Sequence, residues 1–112
     1  MSLLKKFSNE IKSRGENVKV ALIGAGQMGQ GIVAQLNKMT GVDLLLIVDK
    51  NDEKLDLAKS KYTKGGNYDI TLAKSTDAID TITPDIVIEA TGTPSSGADV
   101  ANKVLNRGID LI

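Results

Sequence analysis

The 112-residue chain contains no cysteine, no histidine and no tryptophan, and it has only one phenylalanine and two tyrosines. Without cysteine there can be no disulfides, no thiolate catalysis and no cysteine-type zinc site. Without histidine the commonest general acid–base group and the commonest metal ligand are also missing. Neither sign of charge is in excess, with 14 Lys and Arg against 14 Asp and Glu. No global field therefore draws in nucleic acid or an anionic membrane, and any anion must be held locally. No apolar run approaches the roughly 20 residues of a membrane-spanning helix. Lys5, Lys6 and Glu10 interrupt anything resembling a secretory leader. The expectations are no nucleic-acid partner, no membrane association and a cytoplasmic location.

What remains is an ordinary globular composition, 41% hydrophobic and 25% charged, at a length that suits one core. In residues 1–16, Leu3, Leu4, Phe7 and Ile11 share one helical face, which predicts an N-terminal amphipathic helix ahead of a domain over 17–112. Val18 to Ile23 is a short β-branched run closed by Gly24, the pattern of a buried strand. Met28, Ile32, Leu36 and Met39 then recur at helical spacing up to Gly41.

Val42 to Val48 is apolar enough for a parallel strand covered on both faces. Asn51 can cap a helix that turns Leu55 and Ala58 inward, and Tyr62 to Tyr68, with Gly65-Gly66, reads as a loop. A weaker strand is expected at about Asp69 to Ala73, and a short helix at Thr76 to Ile82, stopped by Pro84. Another strand follows at Asp85 to Glu89. A helix capped by Ser96 with Asp99 carries Val100, Ala101, Val104 and Leu105, and a last strand is expected over Ile109 to Ile112. Strands alternating with helices predict a three-layer, doubly wound α/β fold, a parallel sheet in order 3-2-1-4-5.

Gly24-Ala25-Gly26-Gln27-Met28-Gly29 has the G-x-G-x-x-G spacing, directly after a strand and opening a helix, with Asp49 about twenty residues on at the end of the next strand. Each position has a task. Gly24 makes the tight turn, Gly26 lets backbone approach a pyrophosphate, and Gly29 lets the helix pack on the strand. The helix start then offers unpaired N–H groups to the phosphates. This is the signature of a Rossmann dinucleotide site. A tight turn without a ligand is the alternative. Gly31 is expected to serve close packing of the same helix.

Asp49 can accept hydrogen bonds from the adenosine ribose and repel a 2′-phosphate, which favours NAD(H). Lys50 beside it keeps NADP(H) open. The exit Ala90-Thr91-Gly92-Thr93-Pro94 is expected as the opposite wall, where the strand order reverses. Glu89 is expected to accept backbone hydrogen bonds rather than act as a base. Neither tyrosine has the Tyr-x-x-x-Lys spacing, and no hydride-transfer residue emerges.

Val18-Lys-Val-Ala-Leu-Ile-Gly-Ala-Gly-Gln-Met-Gly-Gln-Gly, Ile47-Val-Asp-Lys and Val87-Ile-Glu-Ala-Thr-Gly-Thr-Pro together resemble the N-terminal domain of homoserine-dehydrogenase-like oxidoreductases, closest to the subgroup that carries a SAF domain. The resemblance implies that Gly24, Gly26, Gln27, Met28, Asp49 and Thr91 line the cofactor site. It also implies that a following domain supplies the small-molecule substrate site, the catalytic residues and a surface for oligomerisation, so that the chain alone is inactive. A nucleotide-sensing regulatory domain and a domain for another adenosine ligand such as S-adenosylmethionine are the competing readings.

Overall fold

The computed structural model describes residues 17–64, 70–104 and 107–112. The helix expected over residues 1–16, the Gly65-Gly66 pair, Tyr68 and Leu105 lie outside the described residues, as does the Ser96 side chain. The chain runs β1 (Val18–Ile23), α1 (Gln27–Asn37), β2 (Val42–Val48), α2 (Asp52–Ser60), β3 (Thr71–Ala73), α3 (Ala78–Ile82), β4 (Ile86–Glu89), α4 (Pro94–Val104) and β5 (Asp110–Leu111). The strands form one sheet in the order β3-β2-β1-β4-β5, and every pairing is parallel. This is the Rossmann arrangement that the alternating pattern predicts.

Successive side chains of a strand point to opposite faces, so a sheet covered on both sides needs two cores. On one face Val18, Val20 and Leu22 of β1 pack with Val33 and Leu36 of α1 and Leu55 and Ala58 of α2. On the other, Ala21 and Ile23 pack with Ile79 of α3 and Val100 and Val104 of α4. The β1–β2 register slips between Val20 and Ala21, which face Leu44 and Leu46. The extra residue, Leu45, shifts the alternation. Val42 and Leu44 therefore share a core with Ile47, while Leu46 and Val48 enter the opposite one.

Tyr62 lies in the loop expected after α2 and has a structural task there. It is buried, accepts a hydrogen bond from Leu44 N at 3.2 Å and donates to Val42 O at 3.4 Å. Among the described residues β3 pairs with Leu46, Ile47 and Val48, and the phenol serves backbone groups nearer the start of β2. Burial pushes the Tyr62 hydroxyl above the usual tyrosine range.

Two expectations are corrected. The inward stripe of α1 is Gly29, Val33 and Leu36, whereas Met28 is 61% exposed. Also, α4 starts at Pro94, before Ser96, because proline's fixed φ and missing N–H suit the first helical position.

Gly31 packs against nothing. It is exposed, and a Cβ added there meets no atom within 4 Å. Close packing therefore does not explain this glycine. With ordinary helical backbone and open space, Gly31→Ala should raise stability by about 0.5–1 kcal/mol, read as a higher midpoint in urea at an unchanged slope.

Candidate functional site

The carboxyl ends of β1 and β4 lie side by side, with Ile23 in register with Glu89 and Ala90 N donating to Ile23 O at 2.7 Å. As the chain leaves β1, Gly24 N donates to Val48 O at 2.7 Å, which pins the loop over the end of β2. Gly24 has φ +104°, and a Cβ on it would stand 3.0 Å from Ala90 C and Thr91 N. Both backbone conformation and space therefore demand glycine there.

Gly29 is demanded more strongly still, because its Cβ would lie 2.0 Å from the Gly24 carbonyl oxygen. Gly26 differs from both. Its backbone is ordinary and extended (φ −74°, ψ −163°), and a Cβ there would meet nothing within 4 Å.

The peptide between these glycines is clamped on both sides. Ala25 N donates to Asp49 Oδ2 at 2.8 Å, and Gln30 Nε2 donates to Ala25 O at 3.1 Å. The other oxygen of Asp49 accepts from Asn51 N at 2.9 Å, and Asn51 in turn caps α2 through Lys54 N at 2.9 Å. Asp49 thus ties the glycine loop to the start of α2 while bordering the cleft. The two helix starts are built differently. α2 has its Asn51 cap and two acids, Asp52 and Glu53, in its first turn. α1 has no side-chain cap and no acidic residue in its first turn, which leaves the positive end of its dipole for an external anion.

In front of this loop lies a cleft of about 520 Å³ lined by residues from the ends of β1, β2, β3 and β4 and from α4. Of the expected residues, Gly24, Asp49, Lys50 and Thr91 line it. Gly29 and Ala90 are buried behind the loop, Gln27 and Met28 are exposed on the first turn of α1, and Gly92 is exposed with φ +73°. The cleft also brings in Thr93 of the expected β4 exit, together with Lys74, Ser75 and Thr76 after β3 and Ser95 and Asp99 at the start of α4, which were not expected there. Their shared signal is position, since each group follows the carboxyl end of a parallel strand.

Charge is unevenly distributed over these walls. Lys50 and Lys74 stand on the β2–β3 side, where Lys74 pairs with Asp52 at 3.0 Å in an exposed contact. Asp99, which accepts from the Thr76 hydroxyl at 2.9 Å, stands on the α4 side. Glu89, at the end of β4, accepts from Thr91 N at 2.9 Å and from the Thr91 hydroxyl, in keeping with a structural role. Among the described residues no cluster of carboxylates is built to hold a metal ion, and no helix is long and apolar enough to cross a membrane.

Solved structures share this architecture. A myo-inositol dehydrogenase from Corynebacterium glutamicum superposes with a TM-score of 0.68 at 23% identity, over 85% of this chain and 27% of that one. A dipicolinate-bound dihydrodipicolinate reductase from Paenisporosarcina sp. gives a TM-score of 0.65 at 24% identity, over 85% and 36%. The protein GenD2 of gentamicin A biosynthesis, in complex with NAD, gives 0.64 at 26% identity, over 86% and 26%. The chain therefore spans only about a quarter to a third of the length of these proteins. No curated protein sequence matches it. The family model described as dihydrodipicolinate reductase, N-terminus, matches residues 18–112, nearly all of the described domain. The chain belongs to that family and is an NAD(P)-binding Rossmann-type domain related to dehydrogenases and reductases.

Proposed function

We propose that this chain is the cofactor-holding part of an oxidoreductase, with NAD(H) in the cleft and its pyrophosphate over Gly24 to Gly29 at the start of α1. The observation that carries this reading is Gly26. Nothing inside the protein requires a glycine there, yet it stands where a Cβ would come between the backbone and a bound pyrophosphate. The uncapped, acid-free start of α1 supports the same placement. NAD in the GenD2 complex and NADH in the alcohol dehydrogenase RspB from E. coli, which matches at 24% identity, support the choice of a nicotinamide cofactor.

Asp49 borders the cleft with both oxygens already oriented by backbone donors. Its remaining lone pairs can take the adenosine ribose hydroxyls, and its charge opposes a 2′-phosphate. Lys50 and Lys74 on the same side pull the other way, so the preference for NAD over NADP should be moderate, on the order of tenfold.

When bound, the nicotinamide supplies hydride exchange, and the residues of this chain bind and orient it. The small substrate is assigned to a further domain. Both the family membership and the sequence likeness to homoserine-dehydrogenase-like oxidoreductases support that division. The finer form of this proposal is a homoserine-dehydrogenase-like oxidoreductase, a likeness that Val87 to Pro94 and the glycine loop carry for the cofactor-binding half only. Calorimetric titration of the chain with NAD, NADH, NADP and NADPH tests the cofactor assignment. NAD or NADH should bind with micromolar to submillimolar affinity and exceed the phosphorylated pair. Silence from all four at millimolar ligand would remove the proposal.

A further inference from the structure

Glu89, Thr91 and Thr93 form a chain of hydrogen bonds whose direction is fixed from one end. A carboxylate only accepts, so the Thr91 hydroxyl gives its single proton to Glu89. The Thr91 oxygen then has two lone pairs. Thr93 N donates to it at 3.2 Å, and the Thr93 hydroxyl lies 3.1 Å away. Because the Thr91 proton is already committed, the Thr93 hydroxyl must be the donor of that contact. Thr91 is thereby saturated, and the exposed Thr93 hydroxyl, on the cleft wall, has only lone pairs left to offer.

We propose that Glu89 is a positioning residue which acts through Thr91 to commit the Thr93 proton, so that the Thr93 hydroxyl meets the ligand as an acceptor and takes one of its hydrogen-bond donors. The inference rests on reading the cleft as a nicotinamide-dinucleotide site. The donors of such a ligand away from the adenosine end are the hydroxyls of the second ribose and the carboxamide amine. The acceptor wall on the β4 side thus faces the nicotinamide half, while the N–H groups of the glycine loop face the pyrophosphate. Asp99, another acceptor on the same wall, reinforces the polarity.

Titration of ADP, ADP-ribose and NAD against the wild-type chain, Thr93→Val, Thr93→Ser and Glu89→Ala separates the possibilities. Thr93→Val keeps the shape of an exposed side chain and removes its oxygen. It should weaken NAD roughly five- to tenfold, as expected for one lost hydrogen bond, and leave ADP unchanged, with Thr93→Ser restoring NAD affinity. Glu89→Ala should weaken NAD in the same direction but by less than Thr93→Val, because the freed Thr91 proton can turn to Thr93 and occupy one of its two lone pairs.

ADP-ribose distinguishes the two donors, weakening alongside NAD if the ribose is held and standing unchanged if the carboxamide is. Unchanged NAD affinity in Thr93→Val, equal weakening of NAD and ADP, or a normal Glu89→Ala beside a weakened Thr93→Val would each overturn the assignment. A wild-type chain that binds none of the three would instead sink the cofactor reading itself, and this inference with it.

Discussion

Gly29→Ala should cost the domain about 3 kcal/mol or more, lowering its thermal midpoint by on the order of 10–20 °C. The methyl group would be 2.0 Å from the Gly24 carbonyl oxygen and 2.9 Å from its carbon, both backbone atoms with no rotamer to yield. Relief requires either that α1 lift away from β1 or that the Gly24 turn open. The first separates Val33 and Leu36 from Val20 and Leu22 in the core. The second disturbs the Gly24 N to Val48 O bond and the Ala25 clamp to Asp49. Against a typical total of 5–15 kcal/mol, either is a large fraction. Thermal unfolding followed by circular dichroism reads it directly. A midpoint within about 2 °C of the wild type would mean that α1 can move without loss, contrary to the close packing described here. Gly31→Ala, on the same helix but in open space, is the matched control and should move the midpoint the opposite way.

The contrast between these two helix glycines shows what a sequence can and cannot reveal. Gly29 was legible because its spacing from Gly24 is tied to a local geometry, one strand-to-helix turn. Gly31 was misread as a packing residue because nothing local distinguishes a buried helical glycine from an exposed one. The central strands were legible for a similar reason. β1 and β2 are covered on both faces, so their burial is written as continuous apolar runs. β3 has only three partly exposed residues, and its limits are set by what β2 offers for pairing rather than by its own side chains. Tyr62 does lie in the expected loop, but its burial against the backbone of β2 is a fact of tertiary structure that loop composition does not carry.

The site divides along the same line. Gly24, Asp49, Lys50 and Thr91 follow from motif spacing and do line the cleft. Met28 was counted both in the apolar spacing that marks the helix, the spacing of a core-facing stripe, and as a cofactor contact. Its exposure on the first turn of α1 is incompatible with the first of these. Lys74, Ser75, Thr76, Ser95 and Asp99 belong to no cofactor-site motif. They reach the cleft because right-handed crossovers bring the ends of β3 and β4 to the same edge as the glycine loop. Predicting them from sequence would have required trusting the strand order enough to read each residue beyond a strand end as a lining residue.

Gly26→Ala should leave the fold intact and lower NAD affinity by at least tenfold, approaching a hundredfold. On the protein side the added methyl meets nothing within 4 Å, and the φ of −74° with ψ −163° suits any L-residue. The change removes some freedom from the unfolded chain but replaces glycine at a helix N-cap with a poorer cap. These effects oppose each other, so the thermal midpoint should move by only a few degrees. On the ligand side the methyl holds the phosphates off the N–H groups at the start of α1. Each charge-assisted bond lost or lengthened there is worth about 1.5–3 kcal/mol, and about 1.4 kcal/mol already corresponds to a factor of ten. Calorimetry and a melting curve on the same preparation give both readings. An intact fold with weakened binding separates Gly26, a ligand-facing glycine, from Gly29, a structural one. If NAD affinity were unchanged in a folded Gly26→Ala, the pyrophosphate would have to lie elsewhere, and the glycine would be left with its N-cap position alone to account for it.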